Sequence, residues 1–502
     1  MNTWLLLGVV FAYFAILLFV AWLTGRKSDN ESFFIGNKNS NWMLVAFGMI
    51  GTSLSGVTFV SVPGAVSTES FAYLQITIGY LIGYFVIALV LLPLYYKLNL
   101  TSIYNYLSTR FGFNSYKTGA SFFILSRTLG ATARLYLVVK ILQDAILTNL
   151  EVPFWVTTLV ILLMILAYTY EGGVKTIVYT DTLQTTCMLA GLVICVVYIL
   201  NKMDMGLGQS IDAMSQKGYT KIFFTDPNSK YFFLKQILAG AFITITMTGM
   251  DQEMMQKNIS VKNLGDSKKN VLTLGFIMLI VISLFLVLGG LLHLYADSLG
   301  ATRVLDATTG KTLYMLNGVN AGGDNLFPII ALNYLPPAIG IIFIIALISA
   351  LFPSADGAIT ALTSSFCIDI LGMKRREDWT EDEKKKIRQK THLTFAAIFL
   401  VFVMVYKFID SKSMIGIILK VAACTYGPLL GLFTFGIITK LRVKDKLVPF
   451  VCIAAPIICF FLDKYQKQIF GDFEVGLELL IINGLITFIG LLCLSTKKEI
   501  PR

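Results

Sequence analysis

The chain has 502 residues, 56% of them hydrophobic and only 14% charged, with 41 Lys and Arg against 30 Asp and Glu. This balance excludes a water-soluble globular protein and marks an all-α polytopic membrane protein. The net charge of +11 follows from the basic bias of cytoplasmic loops and does not point to nucleic acid.

Thirteen apolar segments follow one another, at roughly 4–23, 43–66, 72–96, 117–147, 154–170, 175–201, 233–255, 270–297, 327–371, 391–409, 414–440, 447–462 and 475–495. The first has no basic residue before Trp4 and Arg26–Lys27 after Leu23. A cleaved signal would carry its charges the other way round, so this segment reads as a retained span with its N-terminus outside. Alternating from that start puts most of the basic residues on the inner side, which supports thirteen spans, N-out and C-in. The inner side then includes Lys38, Lys257, Lys262, Lys268 and Lys269, together with the run Lys374 to Lys390, a solvated linker or a regulatory docking site. The triplets at Asn30, Asn99 and Asn258 fall on inner loops and carry no glycosylation meaning.

The second segment breaks its own helix. Gly48, Gly51, Gly56, Gly64, Pro63, Thr52, Ser53 and Ser55 crowd one stretch of an apolar run. Two readings stand: a glycine-rich packing surface, or an unwound stretch whose freed carbonyls and hydroxyls form an oxygen cage for a hard cation. Phe71, Tyr73, Tyr80 and Tyr84 of the third segment either line a cavity or pack. Arg127 and Arg134, seven apart, share a helix face. Either they meet a solute carboxylate or they snorkel and pair with an internal acid. Lys140 extends that face, with Asp144 at i+4 to neutralise it. Asp181, in Tyr179–Thr180–Asp181–Thr182–Leu183–Gln184, is either a helix-terminal carboxylate or a cation ligand.

The loops 202–232 and 298–325 are polar and outer. Thr309–Gly310–Lys311–Thr312 mimics half a phosphate loop, but Leu305 stands where its first glycine belongs. Segment 327–371 holds a short outer helix, about 327–334, separated from the span by Pro336–Pro337. Within that span Pro353, Ser354, Asp356, Thr360, Thr363, Ser364 and Ser365 make a second polar stretch. A carboxylate at mid-membrane costs about 3 kcal/mol to insert, so Asp356 faces a cavity or a cation. Asp369, nearer the inner end, caps the helix or pairs with the basic loop. Lys420 either meets the solute or snorkels outward, and Ser53, Gln75 and Asp251 are further solute candidates. The seven cysteines all lie in apolar runs without a CxxC, as packing residues do. His293 and His392 supply no metal cluster or nucleophile–base pair, so an enzyme is not expected.

Six short stretches, in order, carry a resemblance. They are Phe33–Phe34–Ile35–Gly36; Thr52–Ser53–Leu54–Ser55 with Pro63–Gly64; Gly172–Gly173 with Thr180–Asp181 and Gln184; Asp251–Gln252 with Gln256; Ser354–Ala355–Asp356 with Ile368–Asp369; and Tyr426–Gly427–Pro428–Leu429–Leu430–Gly431. In these the chain resembles the sodium:solute symporter family of sugar, proline, iodide, vitamin and sialic acid carriers. The resemblance implies a LeuT-like fold in a single transmembrane domain over 1–502. Two five-helix inverted repeats, about 43–201 and 233–440, would be flanked by the helix at 4–23 and two more at 447–495. It implies a sodium site from the carbonyls of Gly51, Leu54 and Ala350 and the hydroxyl of Ser354. The family's second hydroxyl is missing, because Pro353 stands there. A second sodium site would join Asp181 to Asp356. The cation is thus expected between two interrupted segments, around Thr52 and around Ala355.

The expected function is sodium-coupled symport, by alternating access, of a small polar organic solute: a sugar, sugar acid, amino acid or similar carboxylate. Sodium is the coupling ion, the bilayer the partner, and the plasma (inner) membrane the location, with the carrier a monomer or weak oligomer. The alternatives are a proton-coupled carrier on the same scaffold, with Asp356 or Asp181 titrating, and a non-transporting membrane sensor, for which no signalling domain follows Leu494.

Overall fold

A chain this apolar can place its backbone in lipid only by satisfying every amide internally, and it does so with helices. The computed structural model describes residues 3–25, 33–34, 36, 40–147, 150–170, 173–305, 312–409 and 414–499. Arg26, Lys27, Asn30, Ile35, Lys38, Gly172 and Thr309–Gly310–Lys311, all singled out in the sequence, lie outside these.

Sixteen helices carry the architecture. They are α1 (Thr3–Gly25), α2 (Trp42–Ser53), α3 (Gly56–Glu69), α4 (Tyr73–Lys97), α5 (Phe113–Leu142), α6 (Phe154–Thr169), α7 (Gly173–Lys202), α8 (Phe233–Gly249), α9 (Gln252–Ile259), α10 (Leu264–Ser298), α11 (Pro337–Ile370), α12 (Glu381–Tyr406), α13 (Met414–Thr425), α14 (Gly427–Ile438), α15 (Val448–Lys464) and α16 (Leu479–Cys493). Among the described residues eight are long and apolar enough to cross a membrane, and three bent pairs bring this to eleven. The bends are 56° between α2 and α3, 65° between α8 and α9, and 45° between α13 and α14. Helices α6 and α16 are apolar but shorter. The loop before α11 folds into a three-stranded antiparallel sheet, and a helix Leu326–Asn333 precedes Pro336–Pro337.

Burial ranks the helices. Only 22% of the most apolar stretch of α1 and of α15 is covered by protein, against 78% of α11, so α11 is central and the other two are peripheral. Close crossings rest on small residues, as membrane interfaces require. A Cβ on Gly79 of α4 would strike the Ile237 carbonyl, and one on Gly240 of α8 the Ile76 carbonyl, so these two helices meet backbone to backbone. The N-terminal end of α5 is capped from far away in sequence. Asp445 accepts from the amides of Asn114 and Ser115, each at 2.8 Å, which satisfies donors at that helix terminus.

Three expectations are corrected. First, α11 is not interrupted. It runs unbroken through Pro353, because neighbouring helices bury that stretch on all sides, and only the segment around Thr52 is broken. The other two breaks fall at Met250–Asp251 and Tyr426. Second, the run Lys374 to Lys390 is not all solvated linker. Its second half begins α12, started by a capping box of Thr380 and Glu383, and Arg388 is buried over the Phe33 ring at 4.3 Å. Third, Lys257 and Asn258 do not lie in an inner loop. Both are buried on α9, which the bend at Asp251 turns back into the protein.

Candidate functional site

The break between α2 and α3 follows from its residues. Leu54 and Ser55 leave helical geometry, with ψ of 88° and 169°, and Ser55 makes no side-chain cap. The last carbonyls of α2, Gly51 among them, then have no intrahelical amide to accept from. Glycines let two other helices close on this spot. A Cβ on Gly48 would lie 3.0 Å from Asp181 Cβ, and one on Gly51 would run into Thr185 Oγ1 and come within 3.5 Å of Pro353 Cγ. A Cβ on Gly56 would lie 3.7 Å from the Leu347 carbonyl of α11. Thus the open end of α2, the Asp181–Thr185 face of α7 and the turn of α11 before Ser354 stand side by side.

This junction is rich in oxygen without hydrogen. Pro353 has no amide, so the Ser349 carbonyl loses its helical donor. Ser354 is buried and its hydroxyl donates to the Leu351 carbonyl at 2.9 Å. Thr185 Oγ1 and Asp181 Oδ1 are buried with no hydrogen-bond partner. Buried polar atoms are nearly always partnered, so orphans beside free carbonyls fit a bound hard cation. Gly51, Leu54 and Ser354, with Ala350 one helical turn before it, thus border one junction, and Thr185, not singled out in the sequence, adds a buried oxygen there.

The two acids expected to share a second sodium have other partners. Lys257 Nζ reaches Asp181 Oδ2 at 2.7 Å and Thr52 Oγ1 at 2.7 Å. Asp356 accepts from the Tyr168 hydroxyl at 2.7 Å and from the Gly357 amide. Buried charge is tolerable only when paired and hydrogen-bonded, and here the pairing extends across helices. Glu253 Oε1 lies 3.9 Å from Lys257 Nζ, and Glu253 forms an ion pair with Arg127 of α5. Asp251 accepts from the amides of Glu253 and Met254 and from the Tyr426 hydroxyl. Neither Glu253, Lys257 nor Thr185 was identified from sequence. The available signal was Glu253 and Lys257 at i, i+4, a helical pair directly after an apolar run.

Next to the break lies a cavity of about 90 Å³, lined by Thr52, Ser53, Tyr73, Tyr84, Arg127 and Arg134, among others. Of the two arginines, Arg127 is committed to Glu253, while Arg134 has no ion pair or hydrogen bond among the described residues. Three solute candidates are corrected. Lys420 points away from the cavity, with its side chain 62% exposed, and pairs with Asp463 at 2.5 Å. Gln75 ties α4 to the loop before α8, donating to the Tyr231 carbonyl at 3.2 Å and accepting from the Phe224 amide at 3.3 Å. Asp251 caps α9 and does not reach the cavity. Ser53 does line it. Lys140 pairs with Asp144 at 2.7 Å, and Asp369 accepts from Ser102, Tyr116 and Ser365.

Known proteins share this architecture. The sodium/sialic acid symporter SiaT of Proteus mirabilis (strain HI4320) is 24% identical over 96% of this chain and 94% of its own. The sodium-coupled monocarboxylate transporter 1 of Mus musculus is 24% identical over 86% of this chain and 68% of its own. The solved structure of a sodium-coupled sialic acid symporter, in a substrate-bound outward-open state, superposes with a TM-score of 0.81 at 20% identity, covering 98% of this chain and 99% of that one. The fold is therefore LeuT-like. The profile of the sodium:solute symporter family matches residues 33–445, and with the broken helix and its oxygen-lined junction in place this chain belongs to that family, as a multi-pass membrane carrier that couples solute movement to sodium.

Proposed function

We propose that the chain is a sodium-coupled symporter of a small organic carboxylate, with Arg134 holding the solute's carboxylate. The observation that carries this is the Arg134 guanidinium, unpaired among the described residues, on a cavity beside the broken helix. A guanidinium grips a carboxylate with two parallel hydrogen bonds, and its charge needs a partner when water leaves. The names of the relatives, sialic acid and monocarboxylate transporters, accord with an acidic solute.

In this reading sodium sits on the carbonyls of Gly51, Leu54 and Ala350 and the hydroxyls of Ser354 and Thr185. It ties α2 to α7 and α11 and so holds the broken helix ready for solute. The repeats 43–201 and 233–440 then rock about the site, within thirteen spans running N-out to C-in in the plasma (inner) membrane. One charge crossing about 100 mV supplies roughly 2.3 kcal/mol, and a tenfold sodium gradient adds about 1.4 kcal/mol. For a singly charged carboxylate the same potential opposes entry and cancels the first contribution, so one sodium sustains about tenfold accumulation.

The test is uptake of radiolabelled solutes by proteoliposomes with and without an imposed sodium gradient, across acidic, neutral and basic solutes of similar size. Acidic solutes should accumulate only with the gradient, and Arg134→Ala should abolish that accumulation. Uptake that ignores sodium, or an Arg134→Ala carrier that still concentrates the acid, overturns the reading.

A further inference from the structure

Asp181 was expected to hold a cation, and it holds one that belongs to the chain. Lys257 is buried on α9, and two of its three ammonium donors point at Asp181 Oδ2 and Thr52 Oγ1, both at 2.7 Å. Its third side faces Glu253, 3.9 Å away. A Cβ on Gly357 would lie 3.3 Å from Nζ, so the ammonium is also packed against α11 next to Asp356. An ammonium fits here because the surrounding atoms are acceptors and it offers only donors.

We propose that Lys257 is a tethered cation that takes the place of a second sodium ion at Asp181, so that this carrier moves one sodium per cycle. The proposal rests on the reading of a sodium site at Gly51, Leu54, Ala350, Ser354 and Thr185. A second sodium at Asp181 would neutralise a buried carboxylate and draw α7 towards α2. Lys257 does both from α9, and it cannot leave. The ammonium and a sodium ion cannot both occupy the space between Asp181 Oδ2 and Thr52 Oγ1. The same ammonium also links the ion junction to the solute cavity, because Glu253 stands between Lys257 and Arg127, and Arg127 lines that cavity.

The experiment is equilibrium binding of radioactive sodium to the purified full-length carrier, read as ions bound per protein. Wild type should bind one. Lys257→Met keeps the bulk but exposes Asp181 and Thr52 to a diffusible cation, and it should bind two, with sodium dependence of uptake turning sigmoidal. The double variant Asp181→Asn/Lys257→Met removes both charges together, which proteins tolerate better than leaving one unpaired. It should return to one bound sodium, and it serves if Lys257→Met alone does not fold. Two ions on wild type, a folded Lys257→Met that still binds one, or a double variant that still binds two would each overturn the proposal while leaving a sodium site standing. A wild-type protein that binds no sodium overturns the site itself.

Discussion

Thr185→Val separates an ion ligand from a packing residue, because it should raise stability without sodium and shrink the further stabilisation that sodium adds. Valine keeps the shape and removes one hydroxyl. That oxygen is buried, without a hydrogen-bond partner, against Gly51 and Pro353. In sodium-free buffer it is an unsatisfied polar group, which costs about 1–3 kcal/mol, so its removal should raise the melting temperature. With sodium bound, the same oxygen contributes an interaction to a charged partner, about 1.5–3 kcal/mol. Its loss should weaken sodium binding by roughly 10- to 150-fold. At sodium one hundred times the wild-type dissociation constant, the ion stabilises wild type by about 2.7 kcal/mol, and a thirtyfold weaker variant by about 0.9 kcal/mol. The assay is thermal unfolding of purified carrier in sodium and in choline, with Thr185→Ser as the control that restores the oxygen. If Thr185→Val gains as much from sodium as wild type does, Thr185 is not a ligand.

Other outcomes follow from the packing. Gly64→Ala places a methyl on the Gly323 carbonyl, and overpacking of that kind costs about 1–3 kcal/mol, seen as a lower melting temperature; an unchanged melting curve would contradict the crossing. Lys420→Met should leave uptake at wild-type levels, because the ammonium is bound to Asp463 outside the cavity, and a large loss of transport would return Lys420 to the solute site. Asp324 lies in the loop before α11, where burial pushes its carboxyl up to about 6 despite the hydrogen bond it accepts from the Met414 amide. A folded-state value above the unfolded 3.8 means that this stability is present below about pH 4 and lost as pH rises through about 6. Asp324→Asn should flatten the melting temperature across that window, and parallel curves for the two proteins would show that Asp324 does not set it.

Much of the fold was legible because lipid imposes it. Long apolar runs must be helices, and an apolar run dense in glycine, serine and threonine cannot remain one. The broken helix at Leu54–Ser55 therefore appears where Gly48 to Gly64 places it. The other breaks were less visible. Asp251 has only Gly249 near it and Tyr426 only the pair Gly427–Pro428, each a smaller signal than the run Gly48 to Gly64, and the polar stretch after Asp251 has the composition of an inner loop. Only the 65° bend shows that this stretch re-enters the protein.

The side-chain roles divide along the same line. Local spacing determined that Lys140 would meet Asp144 and that Arg127 and Arg134 share a face. Spacing along the chain is silent about partners 76 or 175 residues away, yet such partners decide what each charge does. Glu253 occupies Arg127 and leaves Arg134 open, Asp463 takes Lys420 out of the solute path, and Lys257 sits on Asp181. A buried charge must find an opposite one wherever packing delivers it, so the sequence determined which helices exist and where one breaks, while the tertiary structure decided which of its ions remain free to bind something else.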